Sequence, residues 1–260
     1  MVYQHRLQES RYELKYIIAE HRAAEVRDFI RSYLVPDEHA DPQAGNSYPV
    51  QSLYLDSPAL DLFRGTICGL RNRLKLRIRF YDDDPAHPVF FEIKRRLSDV
   101  IQKERACVRR EAVGLLLRGI RPGATFLASP DNRAKSAAAL QTIYRTSLEL
   151  NARGTAYICY RREAYVSPDS DQLRVTFDRG ITAARYTATP YLVTPKATVP
   201  IDMRDVVLEI KFTDRFPNWL RQMVHAMNLW RCPMAKYIAG IRTIGYPWIE
   251  RIGMDSGVAL

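Results

Sequence analysis

Apolar and charged residues alternate with a period of two along several separate stretches of the chain. Leu74, Leu76, Ile78 and Phe80 interleave with Lys75, Arg77 and Arg79, and Glu92 and Lys94 repeat the device beside Phe91 and Ile93. Tyr12, Leu14 and Tyr16 interleave with Arg11, Glu13 and Lys15, as do Leu208, Ile210 and Phe212 with Glu209 and Lys211. Successive strand side chains point to opposite faces, so each stretch collects its charges on one face and its apolar residues on the other. Charges on one such face stand about 6.6 Å apart, twice the rise per residue. Neighbouring cations then repel by about 2.5 kcal/mol at an effective dielectric near 20. If the face is enclosed, acidic side chains or an anionic ligand must offset that repulsion.

The remaining pattern predicts strands over 9–18, 48–56, 71–81, 89–95, 101–110, 154–166, 173–177 and 206–212. Helices are predicted over 20–34, closed by Pro36, and over 132–150, 216–229 and 234–244. Pro217 falls at a helix start, where its missing N–H costs nothing. The stretch from Asp82 to His87 reads as a hairpin connection and 122–130 as loop. Many strands interrupted by few helices predict an α+β fold. Strands with one strongly polar face can converge on a shared lumen, because interior and exterior positions alternate along every barrel strand. An antiparallel β-barrel with helices packed outside is therefore expected, formed as a single domain over 1–260.

Composition narrows the function. The 47% hydrophobic fraction supports a sizeable core, and the net charge of +10 attracts nucleic acid, acidic lipid, nucleotide or polyphosphate without choosing among them. Cys68, Cys107, Cys159 and Cys232 are scattered, without zinc-site spacing or disulfide-scaffold density. His5, His21, His39, His87 and His225 show no metal-ligand spacing. There is no Walker loop, dinucleotide fingerprint, signal peptide or membrane-length apolar run, so a cytoplasmic location is expected. Trp219 and Trp230 suit helix packing better than base stacking. Asp178 and Arg179 read either as lumen residues or as a turn-stabilising pair.

A single Glu–Lys pair is most simply a solvated strand face or a cross-strand ion pair. Several such rows together suit a metal-bound polyphosphate, with carboxylates on a hard cation and ammonium and guanidinium groups on phosphoryl oxygens. The ordered series Arg11-Tyr12-Glu13-Leu14-Lys15-Tyr16, Leu53-Tyr54-Leu55-Asp56, Lys75-Leu76-Arg77-Ile78-Arg79, Phe91-Glu92-Ile93-Lys94, Leu208-Glu209-Ile210-Lys211 and Lys236-Tyr237 resembles the VTC-type polyphosphate polymerase domain. That domain belongs to the triphosphate tunnel metalloenzyme, or CYTH-like, superfamily, and the resemblance runs from about Arg11 to about Gly245.

The resemblance implies an antiparallel tunnel that binds a triphosphate and a divalent metal, Mn or Mg. It implies Lys15, Arg77, Arg79, Lys94 and Lys236 as catalytic phosphate ligands. Arg11, Lys75, Lys103, Arg161 and Lys211 are implied as further substrate contacts, with Lys103 and Arg161 resting on looser local matches. Glu209 is implied as the leading metal ligand, and Glu13 and Glu92 as metal ligands or anchors for neighbouring cations. Two departures stand out. Arg11 replaces the first acidic residue of the Glu-x-Glu-x-Lys pattern common in the wider superfamily, and Ala235 replaces a serine common in the VTC branch. The implied reaction is phosphoryl transfer from a nucleoside triphosphate, ATP foremost, to phosphate or a growing inorganic polyphosphate chain. Hydrolysis of a triphosphate is the nearest alternative, and a noncatalytic polyphosphate or nucleic-acid module is another. The charge rows suit a phosphate channel better than an aromatic base-stacking surface, which disfavours nucleic acid. A separate membrane protein could recruit the chain, which carries no anchor of its own.

Overall fold

The computed structural model describes residues 11–98, 100–128, 133–188, 192–202 and 205–246, and the side chain of Arg11 lies outside that description. Ten strands form one sheet: β1 (Arg11–Ile18), β2 (Val35–Pro36), β3 (Ser47–Asp56), β4 (Arg73–Phe80), β5 (Val89–Leu97), β6 (Val100–Val108), β7 (Arg153–Ser167), β8 (Ser170–Arg185), β9 (Val199–Pro200) and β10 (Val206–Thr213). The main order is β1-β10-β8-β7-β3-β4-β5-β6, antiparallel throughout, with β2 added to β7 and β9 to β8. Among the described residues six α-helices accompany it: α1 (Glu20–Ile30), α2 (Asp61–Ile67), α3 (Val113–Leu117), α4 (Arg133–Glu149), α5 (Asn218–Ala226) and α6 (Lys236–Ile244). The expected α+β class and antiparallel curled sheet are both present.

No ladder joins the end strands β1 and β6 among the described residues. The sheet nonetheless curls far enough for Lys94 on β5 to donate to Glu13 on β1 at 2.7 Å, so an ion pair spans the seam. The charged rows therefore occupy the concave face. On the convex side lie two apolar cores. One packs Leu76, Ile78, Phe80, Phe91 and Ile93 under α3 and α4, and the other packs Tyr16, Val175, Phe177, Leu208 and Ile210 under α1 and α5. Alternation thus sorts the β4 row: Leu76, Ile78 and Phe80 join the helix-covered core, and Lys75, Arg77 and Arg79 share the opposite face.

α6 departs from the expected exterior packing of helices. It lies on the concave face with α2, where Tyr237, Ile238 and Ile241 join Tyr54, Ile158, Tyr160 and Val207 in a third core. Three contacts hold it there. Tyr237 stacks on Tyr54 at 4.6 Å between centroids, and its hydroxyl donates to Asp56 at 2.8 Å. Asp56 also accepts the backbone N–H groups of Leu62 and Phe63 at the start of α2, so one buried carboxylate ties β3, α2 and α6 together. Gly240 lets α6 approach the sheet, since a Cβ there would lie 2.1 Å from Ile158 Cδ1 and 3.2 Å from Ala183 Cβ.

β8 runs much further than the short strand expected over 173–177. Gly180, in the left-handed region at φ 57°, forms a bulge where the β7–β8 register shifts between Cys159 and Arg161, and the strand continues past it. The reading of Asp178 and Arg179 as a turn pair is corrected accordingly. Trp219 stacks on Tyr33 at 4.2 Å, as helix packing requires, whereas Trp230 lies outside any helix and is 77% exposed. We expect Gly240→Ala to cost about 1–3 kcal/mol, because overpacking forces α6 or Ile158 to shift. Denaturant unfolding checks this, and an unchanged midpoint would mean the helix is less closely seated.

Candidate functional site

The concave face gathers Lys15, Lys75, Arg77, Arg79, Lys94, Lys103, Arg105, Arg162, Lys211 and Lys236 around Glu13, Glu92, Asp178 and Glu209. Cross-strand register explains the convergence. Lys15 faces Glu209 across β1 and β10, Arg77 faces Glu92 across β4 and β5, and Lys94 stands between Lys75 and Lys103. Like charges directly opposite destabilise a sheet. The lysine row is thus an energetic cost that only a counter-anion removes.

Glu209 is the most heavily shared of the four. It is 4% exposed, and its oxygens lie 2.8 Å from Lys236 Nζ, 2.6 Å from Lys211 Nζ, 3.4 Å from Lys15 Nζ and 3.6 Å from Arg162 Nη2. Asp178 takes a two-pronged pair from Arg162 at 2.7 and 2.8 Å and a third contact from Lys236 at 2.6 Å. Glu92 holds Arg77 at 2.6 Å, Lys103 at 2.7 Å and Arg105 at 3.5 Å. Glu13 links Lys15 at 3.4 Å to Lys94 at 2.7 Å.

Titration follows from this geometry. Burial opposes ionisation of Glu209, yet Lys211, Lys236, Lys15 and Arg162 hold it well below the ordinary carboxylate range. Burial likewise opposes ionisation of Glu13, but chiefly Lys15 and Lys211 bring it down to about 2. Lys75 has neither ion pair nor hydrogen bond among the described residues. Burial, followed by repulsion from Lys15, Lys94 and Arg77, pushes its ammonium down to about 8. Arg79 also makes no ion pair among the described residues; it donates to Ser52 Oγ at 3.4 Å and Tyr160 OH at 3.2 Å, and its charge helps hold the Glu92 carboxyl down. Burial raises the Tyr54 phenol, but Arg77, Lys75 and Arg79 outweigh it and bring it to about 8, which reports a strongly positive local potential.

Of the residues expected from sequence, Lys15, Lys75, Arg77, Arg79, Lys94, Lys103, Lys211, Lys236, Glu13, Glu92 and Glu209 come together on this face. Arg11 is opposite Thr213 at the start of β1. Arg161 is placed apart: it is exposed and bonds Ser47 at about 3 Å, while its neighbour Arg162 turns into the hollow. Arg162 and Arg105 were not expected as site residues, and Asp178 takes the lumen position that was one of its two readings. Ala235 precedes α6 without a side-chain cap, so the hydroxyl expected from the family pattern has no substitute there. A cavity of about 220 Å³ between Tyr33, Gln172, Phe212 and Trp219 contains none of the site residues.

In the ligand-free protein the carboxylates expected as metal ligands are held by cations. No cluster of three or more His, Cys, Asp or Glu able to hold a metal is found among the described residues. The carboxylates of Glu209, Glu13 and Glu92 are instead engaged by lysine and arginine, which makes them anchors for cations.

A curled antiparallel sheet with a strongly cationic hollow is a phosphate-binding architecture, and comparison with known proteins gives its family. The VTC domain model matches residues 10–244, and the chain belongs to that family. Among solved structures, a candidate adenylate cyclase from Bacillus halodurans is similar with TM-score 0.47 and 11% identity, covering 87% of this chain and 94% of its own. A protein of Pyrococcus horikoshii is similar with TM-score 0.45 and 11% identity, covering 88% of this chain and 96% of its own. No curated protein matches the chain.

Lys75 generates a paired prediction. A cation whose folded-state pKa is depressed binds fewer protons when folded, so its cost is present at neutral pH and fades as pH rises from about 8 past its ordinary value of 10.5. Lys75→Met should therefore stabilise the ligand-free protein by about 1–2 kcal/mol at pH 7, and by less at pH 10. The same variant should bind inorganic triphosphate more weakly and lose the proton uptake that calorimetry at pH 8 in two buffers detects in the parent. A destabilised variant with unchanged binding would contradict the assignment.

Proposed function

We propose that the protein transfers phosphoryl groups from a nucleoside triphosphate, ATP foremost, to phosphate or a growing inorganic polyphosphate chain. The observation that carries this reading is the crowding of lysine and arginine around Glu13, Glu92, Asp178 and Glu209 on one face, with Lys75 and Arg79 making no ion pair among the described residues. Linked phosphates supply closely spaced negative charge that can lie along such a surface. Membership of the VTC family supports the same reading.

The charges fall on two walls. Lys75, Arg77, Arg79, Lys94 and Lys103 project from β4, β5 and β6, while Lys15, Arg162, Lys211 and Lys236 project from β1, β7, β10 and the start of α6. An anion between the walls is held from both sides, which aligns donor and acceptor oxygens and offsets charge on the transferring group. Catalysis by alignment and electrostatic stabilisation needs no protein nucleophile. Glu209, Asp178, Glu92 and Glu13 keep the cations positioned while the hollow is free of substrate, and release them to phosphate oxygens on binding. Any divalent cation belongs, on this reading, to the substrate, entering on the triphosphate. Polyphosphate made in this way would form in the cytoplasm, where ATP is plentiful, and a separate membrane protein could draw the product away. No helix among the described residues is long and apolar enough to cross a membrane.

Incubation with ATP and Mg²⁺ or Mn²⁺ should give a polyphosphate ladder on gels, and Arg77→Ala or Lys236→Ala should slow it by about 10²–10³. Orthophosphate release without a ladder would assign hydrolysis instead. Neither product under any metal condition would leave only a binding module.

A further inference from the structure

Where the β5 row ends at Phe90, the concave wall changes character. Phe90 stands in register with Arg79 on β4 and Cys107 on β6, on the same face as Glu92 and Lys94. The guanidinium of Arg105 lies over its ring, with Cζ 3.6 Å from the centroid. Arg105 Nη2 donates to Tyr81 OH at 3.4 Å, and its Nε lies 3.5 Å from Glu92 Oε1. Tyr81 in turn meets Phe90 edge-on at 6.0 Å. A ring beneath, a hydroxyl and a carboxylate together fix the guanidinium plane. The Arg105 side chain is still 39% exposed, so part of it remains accessible to a ligand.

A phosphate ligand needs only charge, and Arg77 and Lys103 already supply it around the same Glu92. A flat guanidinium held against an aromatic ring offers more: it is a platform for another planar π-system. Its place is one carboxylate away from the phosphate-binding cations, on the strand pair that carries them. Base-on-platform stacking tolerates any base, so it would hold a nucleoside without selecting strongly among the four.

We propose that Arg105, backed by Phe90 and oriented by Tyr81, stacks the nucleobase of the donor, so that the site favours a nucleoside triphosphate over bare inorganic triphosphate. This rests on the phosphate-binding reading of the same hollow and adds the identity of the donor's non-phosphate end.

The test compares calorimetric affinities for a non-hydrolysable ATP analogue and for inorganic tripolyphosphate at fixed salt. Arg105→Lys keeps the charge and removes the plane, and Phe90→Leu removes the backing ring. Both should weaken the ATP analogue about tenfold while changing tripolyphosphate affinity less than twofold. Equal losses for the two ligands would make Arg105 an ordinary phosphate contact and overturn the proposal, as would no loss for either. If the parent protein binds tripolyphosphate but gains nothing from the nucleoside, the platform alone fails. If it binds neither ligand, the phosphate-binding reading fails with it.

Discussion

Mutual repulsion among the cations on one face of a curled sheet is the constraint that organises this protein. The basic side chains around Glu13, Glu92, Asp178 and Glu209 outnumber those carboxylates, and the ligand-free fold settles the imbalance by sharing each carboxylate among several cations. Glu209 is the clearest case, meeting four cations from β1, β7, β10 and α6. Removing one partner of a buried charge network leaves the rest uncompensated, commonly at about 3–5 kcal/mol. The convex side provides the offset. Its two helix-covered cores bury much of the apolar side of the charged strands, and the concave core under α6 adds a third.

The same imbalance connects stability with function. Lys75 and Arg79 make no ion pair among the described residues, in a hollow whose potential already depresses the Tyr54 phenol. Such positions weaken the empty protein and gain most when an anion arrives. Lys236 shows how the remaining geometry is secured: its helix is fixed from behind by Asp56, Tyr237 and the close approach at Gly240, so its ammonium reaches Asp178 and Glu209 at 2.6 and 2.8 Å. The seam between β1 and β5 is held by Glu13 and Lys94 alone among the described pairs. An anion that competes for Lys94 therefore also acts on the closure of the sheet.

Much of this was legible in the chain, for a physical reason. β1, β4 and β10 are covered on one face and charged on the other, so their period of two exposes both the strands and their site residues. β7 is buried on both faces for much of its length, and without alternation Arg161 and Arg162 could not be told apart. β8 was cut short because Gly180 reads as a break, although a bulge accommodates it. α2 escaped notice because it has only seven residues and its start is bonded by Asp56, outside the helix. The carboxylates' partners in the ligand-free protein were hidden for a different reason. A sequence counts carboxylates, whereas their availability depends on cross-strand partners such as Lys211 and Lys103 that only the register reveals.

The account stands or falls on whether the hollow recognises linked phosphates as a unit. The most direct measurement is the shift in thermal midpoint with orthophosphate, pyrophosphate and tripolyphosphate, titrated separately at constant ionic strength. Cations arrayed along one surface predict a rise that steepens with chain length, large for tripolyphosphate at micromolar concentration and absent for orthophosphate at the same concentration. Small shifts of equal size for all three would show that the charges act only as a diffuse positive surface.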